Sequence, residues 1–283
     1  MKRTARLDPL SSAVLLRRAA QVLLALMALA APCGGAAGAE WVNASGGNWT
    51  VATSWNPQDV PDTPTEDASI NTDGTYTVTW TYASAFTVRD IDLGTTSTSG
   101  KQTLVQAGGK AIGFQNMTIG PRGEFQLGAN IGGTLMTVQS GGRYVTATGA
   151  TDRYMGFDLN VQPGGTWGIL AGSTALPNGY TYTIDGTVTG DGNINLTRNG
   201  NKFAGAGTIG GAGMIVGDAG STRLNTFGGS LTVDRDWDDK LNGLILKPGT
   251  TLTLNGTYTA NRTANTPTFA TDAAGSASIL GSG

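Results

Sequence analysis

The chain of 283 residues holds 44 glycines, one cysteine, no histidine and only 13% charged residues. That is enough chain for a sizeable core, yet too glycine-rich for a helical or ordinary α/β enzyme. Without histidine, Ser-His and Cys-His triads and imidazole metal sites are excluded, and a formal net charge of −2 gives no basic character suited to nucleic acid.

In chain order, the first feature is a leader. Lys2, Arg3, Arg6, Arg17 and Arg18 form a basic start, residues 19–31 an apolar run, and the "AGA" at 37–39 a small-residue cleavage site. The pattern predicts a secretory signal peptide over residues 1–39, a mature chain beginning at Glu40, and a secreted or cell-surface location. The apolar run falls short of the roughly 20 residues of a membrane span, so none is expected in the mature chain, a retained anchor being the alternative. Cys33 leaves with the leader, which excludes a disulfide scaffold, and Ala30 and Pro32 do not suit a lipoprotein signal. Removing the leader deletes five basic residues and Asp8, leaving 13 basic against 19 acidic residues, a net of about −6.

Residues 40–100 read as a tryptophan-rich capping segment with the first coils of a repeat fold. "WVNASGGNWTVATSWNPQDVPDTPTEDASI" at 41–70 contains Trp41, Trp49 and Trp55, and "TYTVTW" at 75–80 is a strongly β-prone strand. These tryptophans are expected to close the exposed first coil.

Residues 101–283 carry one recurring plan. "MTIGPRGEFQL" (117–127), "MTVQSGGRYV" (136–145), "LNVQPGGTWGIL" (159–170) and "LILKPGTTLTL" (244–254) each place two aliphatics at period two, then a Pro-Gly or Gly-Gly corner, then an aromatic or aliphatic residue. "TLVQAGGKAI" (103–112) is a looser copy. Alternation marks a half-buried strand, and the glycines supply the corner. One such coil cannot bury its own apolar face, whereas stacked copies can. The expected fold is all-β, a right-handed parallel β-solenoid (β-helix) with irregular coils. An antiparallel β-sandwich or jelly roll is the alternative, kept open by Asp-Gly pairs at 73–74, 185–186 and 191–192. The glycine-richest stretch, 194–229, reads as a narrow part of the solenoid or a flexible linker, with Ile209, Met214, Ile215 and Val216 favouring strands. The chain closes on "AAGSASILGSG", which looks like the start of another coil, so the repeats are expected to be truncated at the C-terminus.

The N-terminal segment resembles the opening of bacterial secreted β-solenoid proteins of the autotransporter-passenger or adhesin type, through Gly47, Trp49, Trp55, Pro57, Asp67, Ala68 and Ile70. Part of it is also loosely similar to the G8 domain of extracellular proteins. The resemblance implies a parallel β-solenoid exposed outside the cell, and implies no reaction.

Two sets of residues are candidates for a site. In "DRDWDDK" (234–240), Asp234, Asp236, Asp238 and Asp239 could ligate calcium through carboxylate oxygens or act as a carboxylate pair, with Trp237 stacking on a sugar. In that reading Arg235 or Lys240 would act on a uronate, and the competing reading is a solvated loop. Tyr144 and Trp167 occupy equivalent positions just after the corner and could share a face that stacks on glycan or protein, or else cap the core. The functional expectation is a structural or adhesive surface protein binding glycan or extracellular protein, and no nucleic acid, with no catalytic residue assigned. A carbohydrate-active β-helix enzyme (polysaccharide lyase or glycosidase) and a carbohydrate-binding module are the alternatives.

Overall fold

A computed structural model describes residues 38–81, 86–107, 111–149, 153–196, 200–217, 225–239, 243–260, 268–271 and 278–281. The leader assigned to residues 1–39 lies outside the described residues except for Gly38 and Ala39. Ala39, the residue before the expected mature terminus, is buried in the first strand, Ala39–Trp41, and pairs with Ala68.

The recurring plan folds as its alternation requires. In "MTIGPRGEFQL" the first strand is the end of Ile112–Ile119, residues 120–122 turn, and Gly123–Leu127 runs on a second sheet. Met117, Ile119, Phe125 and Leu127 point inward and are buried. Each strand then pairs in parallel with its counterpart in the next copy, as in Met117 with Met136 and Phe125 with Tyr144. A 17-stranded and an 11-stranded sheet result, joined by the corners. This is a parallel β-solenoid. The sandwich alternative is not adopted, because among the described strand pairs only Glu40–Asn56 and Trp41–Trp55 run antiparallel.

Two glycines at a corner do different jobs. Gly141 has φ +82°, a conformation costly for side-chain-bearing residues, whereas Gly142 is required because a Cβ there would meet the Ile119 carbonyl oxygen at 2.4 Å. The corner therefore needs glycine for close approach as well as for φ.

The cross-section changes along the molecule. The strand Arg153–Val161 pairs over its first half with Thr174–Pro177 and over its second half with Thr181–Ile184. Asn178, Gly179 (φ +80°) and Tyr180 break what was one long strand into two. Subsequent coils keep this pattern, with three short strands each in place of two.

Inward side chains form continuous columns. One runs through Ala68, Ile91, Met117, Met136, Leu159, Tyr182, Phe203, Phe227 and Leu246, all buried. Such ladders repeat at the inter-strand distance of about 4.8 Å, close enough for every coil to cover the next. At the N-terminal end Trp41, Trp55, Trp49 and Trp80 pack in series, with centroids 5.1, 4.7 and 4.3 Å apart. The Trp49 and Trp55 indoles donate to the Pro61 and Trp49 carbonyl oxygens at 3.0 and 2.7 Å, so the rings are buried without leaving those N–H groups unpaired. Among the described residues no helix is long and apolar enough to cross a membrane.

In the glycine-rich stretch 194–229, the described residues form short strands at Lys202–Ala204, Thr208–Ile209, Ile215–Val216 and Asn225–Phe227. Ile209 and Ile215 are buried, while Met214 is exposed.

Candidate functional site

Tyr144 and Trp167 are register partners, as the repeat alignment requires, and their rings stack at 6.1 Å with an interplanar angle of 19°. They do so inside the solenoid: both are 0% exposed and Trp237 is 1% exposed. This corrects their assignment as binding residues, since a ring with no accessible face cannot stack on a ligand. They belong to an interior run in which Phe125, Tyr144, Trp167, Tyr182, Phe203, Phe227, Trp237 and Tyr258 contact one another in turn.

The acidic segment also departs from expectation. Residues 237–239 form a strand rather than a loop. Asp234 is exposed and accepts from Asn255 Nδ2 at 2.6 Å, and Asp236 accepts from the Thr257 amide at 2.9 Å, so both staple their turns to the next coil. Asp238 pairs along the strand with Val216 and Thr259. Among the described residues no three carboxylates converge on a point that could hold a metal ion, so Asp234, Asp236 and Asp238 form no such group by themselves. The Asp239 side chain and Lys240 lie outside the described residues.

Arg235 is not available to a uronate. It occupies the corner position equivalent to Gly190 and Gly211 in the preceding coils, set by the Val188–Ile209 and Ile209–Val233 pairs. Its guanidinium turns back beside Gly211, donating to the carbonyl oxygens of Gly192 at 3.1 Å, Gly190 at 3.2 Å and Gly210. Burial lowers its proton affinity and the charge of Asp191 opposes that shift; the group stays cationic at neutral pH.

A surface site is built elsewhere, where three successive turns carry cations. A crevice of about 260 Å³ is lined by Gly100, Lys101, Pro121, Arg122, Gly123, Glu124, Gly141 and Arg143. Gln102 pairs with Gly123, which puts Lys101 and Arg122 at equivalent positions one coil apart, and Glu124 pairs with Arg143. Glu124 Oε2 accepts from Lys101 Nζ at 2.7 Å and Arg143 Nη1 at 3.2 Å, and its Oε1 accepts from Gln126 at 2.6 Å. Burial works to raise this carboxyl, but those hydrogen bonds and the two positive charges outweigh it and hold it below the usual carboxylate range. The Glu124 side chain is only 5% exposed, against 50% for Lys101 and 42% for Arg143, so the crevice shows solvent its cations and hides its carboxylate. Arg122 donates to the Thr98 carbonyl oxygen at 3.3 Å.

The sequence carried a signal for this site that composition concealed. "GK" at 100–101, "PRG" at 121–123 and "GGR" at 141–143 each put a cation beside a corner glycine. Asp67, Asp90 and Asn116 form an outward polar column on the 17-stranded sheet, with Arg89 paired to Asp67.

Protein-family models, curated proteins and solved structures were all compared with the chain, and none matches it.

Proposed function

We propose that this is a secreted or cell-surface structural and adhesive β-solenoid, similar in role to autotransporter passengers and adhesins, that recognises a glycan or extracellular protein through its outer surface. The observation that carries this reading is the division of the molecule. All six tryptophans and most of the described aromatic rings pack inside, while Lys101, Arg122 and Arg143 stand on the outside, two of them held by ion pairs to Glu124. A rigid array of polar groups repeated from coil to coil suits many weak contacts made together.

The basic and apolar N-terminal pattern supports export, and the test begins there. Expressed with its leader in a secreting bacterial host, the chain is expected outside the cytoplasm with a new N-terminus close to Glu40. The secreted product should then bind saturably on an array of glycans and matrix proteins. Retention of the intact leader in the cytoplasm would end the export reading, and a folded product that binds nothing would end the recognition reading.

A further inference from the structure

We propose that the crevice between Lys101, Arg122 and Arg143 binds the carboxylate or sulfate groups of an acidic polysaccharide; this rests on the surface-recognition reading above and names its partner. The electrostatics are one-sided. Three cationic groups meet a single carboxylate, and that carboxylate is buried beneath them with both oxygens already accepting hydrogen bonds. Asp73, on the coil before Lys101, accepts from the Thr98 and Ser99 amides at 2.6 and 3.1 Å. An anionic group entering the crevice therefore meets donors rather than repulsion, in a chain whose net charge is negative overall.

The shape agrees with a sugar. Gly100, Gly123 and Gly141 line the crevice without side chains, and about 260 Å³ admits one monosaccharide unit rather than a large ligand. Lys101 and Arg122 stand in register on successive coils, and Arg143 lies on the next coil in register with Glu124, so the cations come from three coils of one rigid sheet, which favours a polymer with repeating charge over a single anion. A shared oxygen of Glu124 pins Lys101 and Arg143, so little side-chain entropy remains to be lost on binding. Single-stranded nucleic acid is the other polyanion of this kind, but it is held by accessible aromatic platforms, and all six tryptophans are buried.

The experiment measures binding of the secreted chain to polygalacturonate, which offers carboxylates, and to dextran sulfate, which offers sulfates. Neutral dextran, duplex DNA and single-stranded DNA are run alongside. Arg122→Gln leaves the Glu124 ion pairs intact, and Lys101→Gln/Arg122→Gln removes the column; thermal melting confirms that each variant is folded. The expected result is saturable, salt-sensitive binding to one or both acidic polymers, weakened about tenfold or more by Arg122→Gln and further by the double variant. Which polymer binds tells carboxylate from sulfate. Equal binding of folded variants and parent, preference for DNA, or no binding to either acidic polymer overturns the proposal. If neutral glycans or proteins still bind in those cases, the recognition reading survives without the acidic site.

Discussion

Tryptophan 167 shows how much a single side chain carries here. Its ring lies between Tyr144 and Tyr182, stacked on both at 6.1 and 6.3 Å, and it is fully buried. Trp167→Ala is expected to cost about 3–5 kcal/mol, because the neighbouring coils cannot collapse into the gap without breaking register. Trp167→Phe should cost less than about 1.5 kcal/mol, since it keeps a ring in the stack and removes an indole N–H that finds no acceptor among the described residues. Urea unfolding of both variants would check this, and equal losses would show that the stacking is not what the site requires. The same burial fixes an alkaline limit. Desolvation pushes the Tyr76 hydroxyl up to about 12 and raises Tyr144 and Tyr182 as well. The fold disfavours the ionised form, so this contribution is whole below the unfolded value of about 10 and is lost as pH rises through about 12. Urea midpoints measured from neutral to strongly alkaline pH should fall over that window, together with the rise of tyrosinate absorbance.

At the scale of the element, the corners decide stability as much as the strands do. Gly190, Gly211 and Arg235 stand at equivalent positions, and a Cβ at Gly211 would come within 2.9 Å of the Arg235 guanidinium, so the missing side chain leaves room for it. Arg235→Met is expected to destabilise by about 1–3 kcal/mol even though it removes a buried charge, because it strands the carbonyl groups of Gly190, Gly192 and Gly210. A chemical-denaturation curve for this variant that matched the parent would refute the carbonyl-clamp role. A comparable device joins Asn201 and Asn225, both 0% exposed: Asn225 Oδ1 accepts from the Asn201 amide and side chain, each at 3.0 Å, and Asn201 Oδ1 accepts from Gly179 at 2.8 Å. These polar contacts join coils whose two-residue and three-residue strands bury little apolar surface.

For the whole molecule, the solenoid is quasi-one-dimensional: each coil is stabilised by its own residues and its two neighbours. The N-terminal end is closed by the Trp41, Trp49, Trp55 and Trp80 cluster and the antiparallel pairing of Trp41 with Trp55. Strand Ser278–Gly281 pairs with Thr251–Leu254, and its Ile279 and Leu280 are 38% and 53% exposed. Hydrogen exchange is therefore expected to be slowest for amides in strands between Gly123 and Ile184, which are paired on both sides, and fastest for Ser278–Gly281. Uniform protection along the chain would mean that it unfolds as one unit. The Lys101–Arg122–Arg143 crevice lies at the corner of the 11-stranded sheet, and the Asp67–Asp90 pair on the 17-stranded one.

The sequence by itself determined the fold class, because period-two alternation and recurrent glycine corners describe local geometry that every copy must satisfy. It also determined that Tyr144 and Trp167 align, since register follows from equivalent positions in the repeat. Only the tertiary structure decided which way those rings face: a residue after a corner lies on either side of the wall depending on how the corner bends, and this corner turns them inward. The change from two strands to three per coil was likewise hidden, because Asn178–Tyr180 reads as one more turn until its neighbours above and below are paired. Arg235 and the cationic crevice depend on contacts between residues some 20 to 45 positions apart. Linear spacing records what each coil contains, and stacking alone sets which charges meet and which are buried.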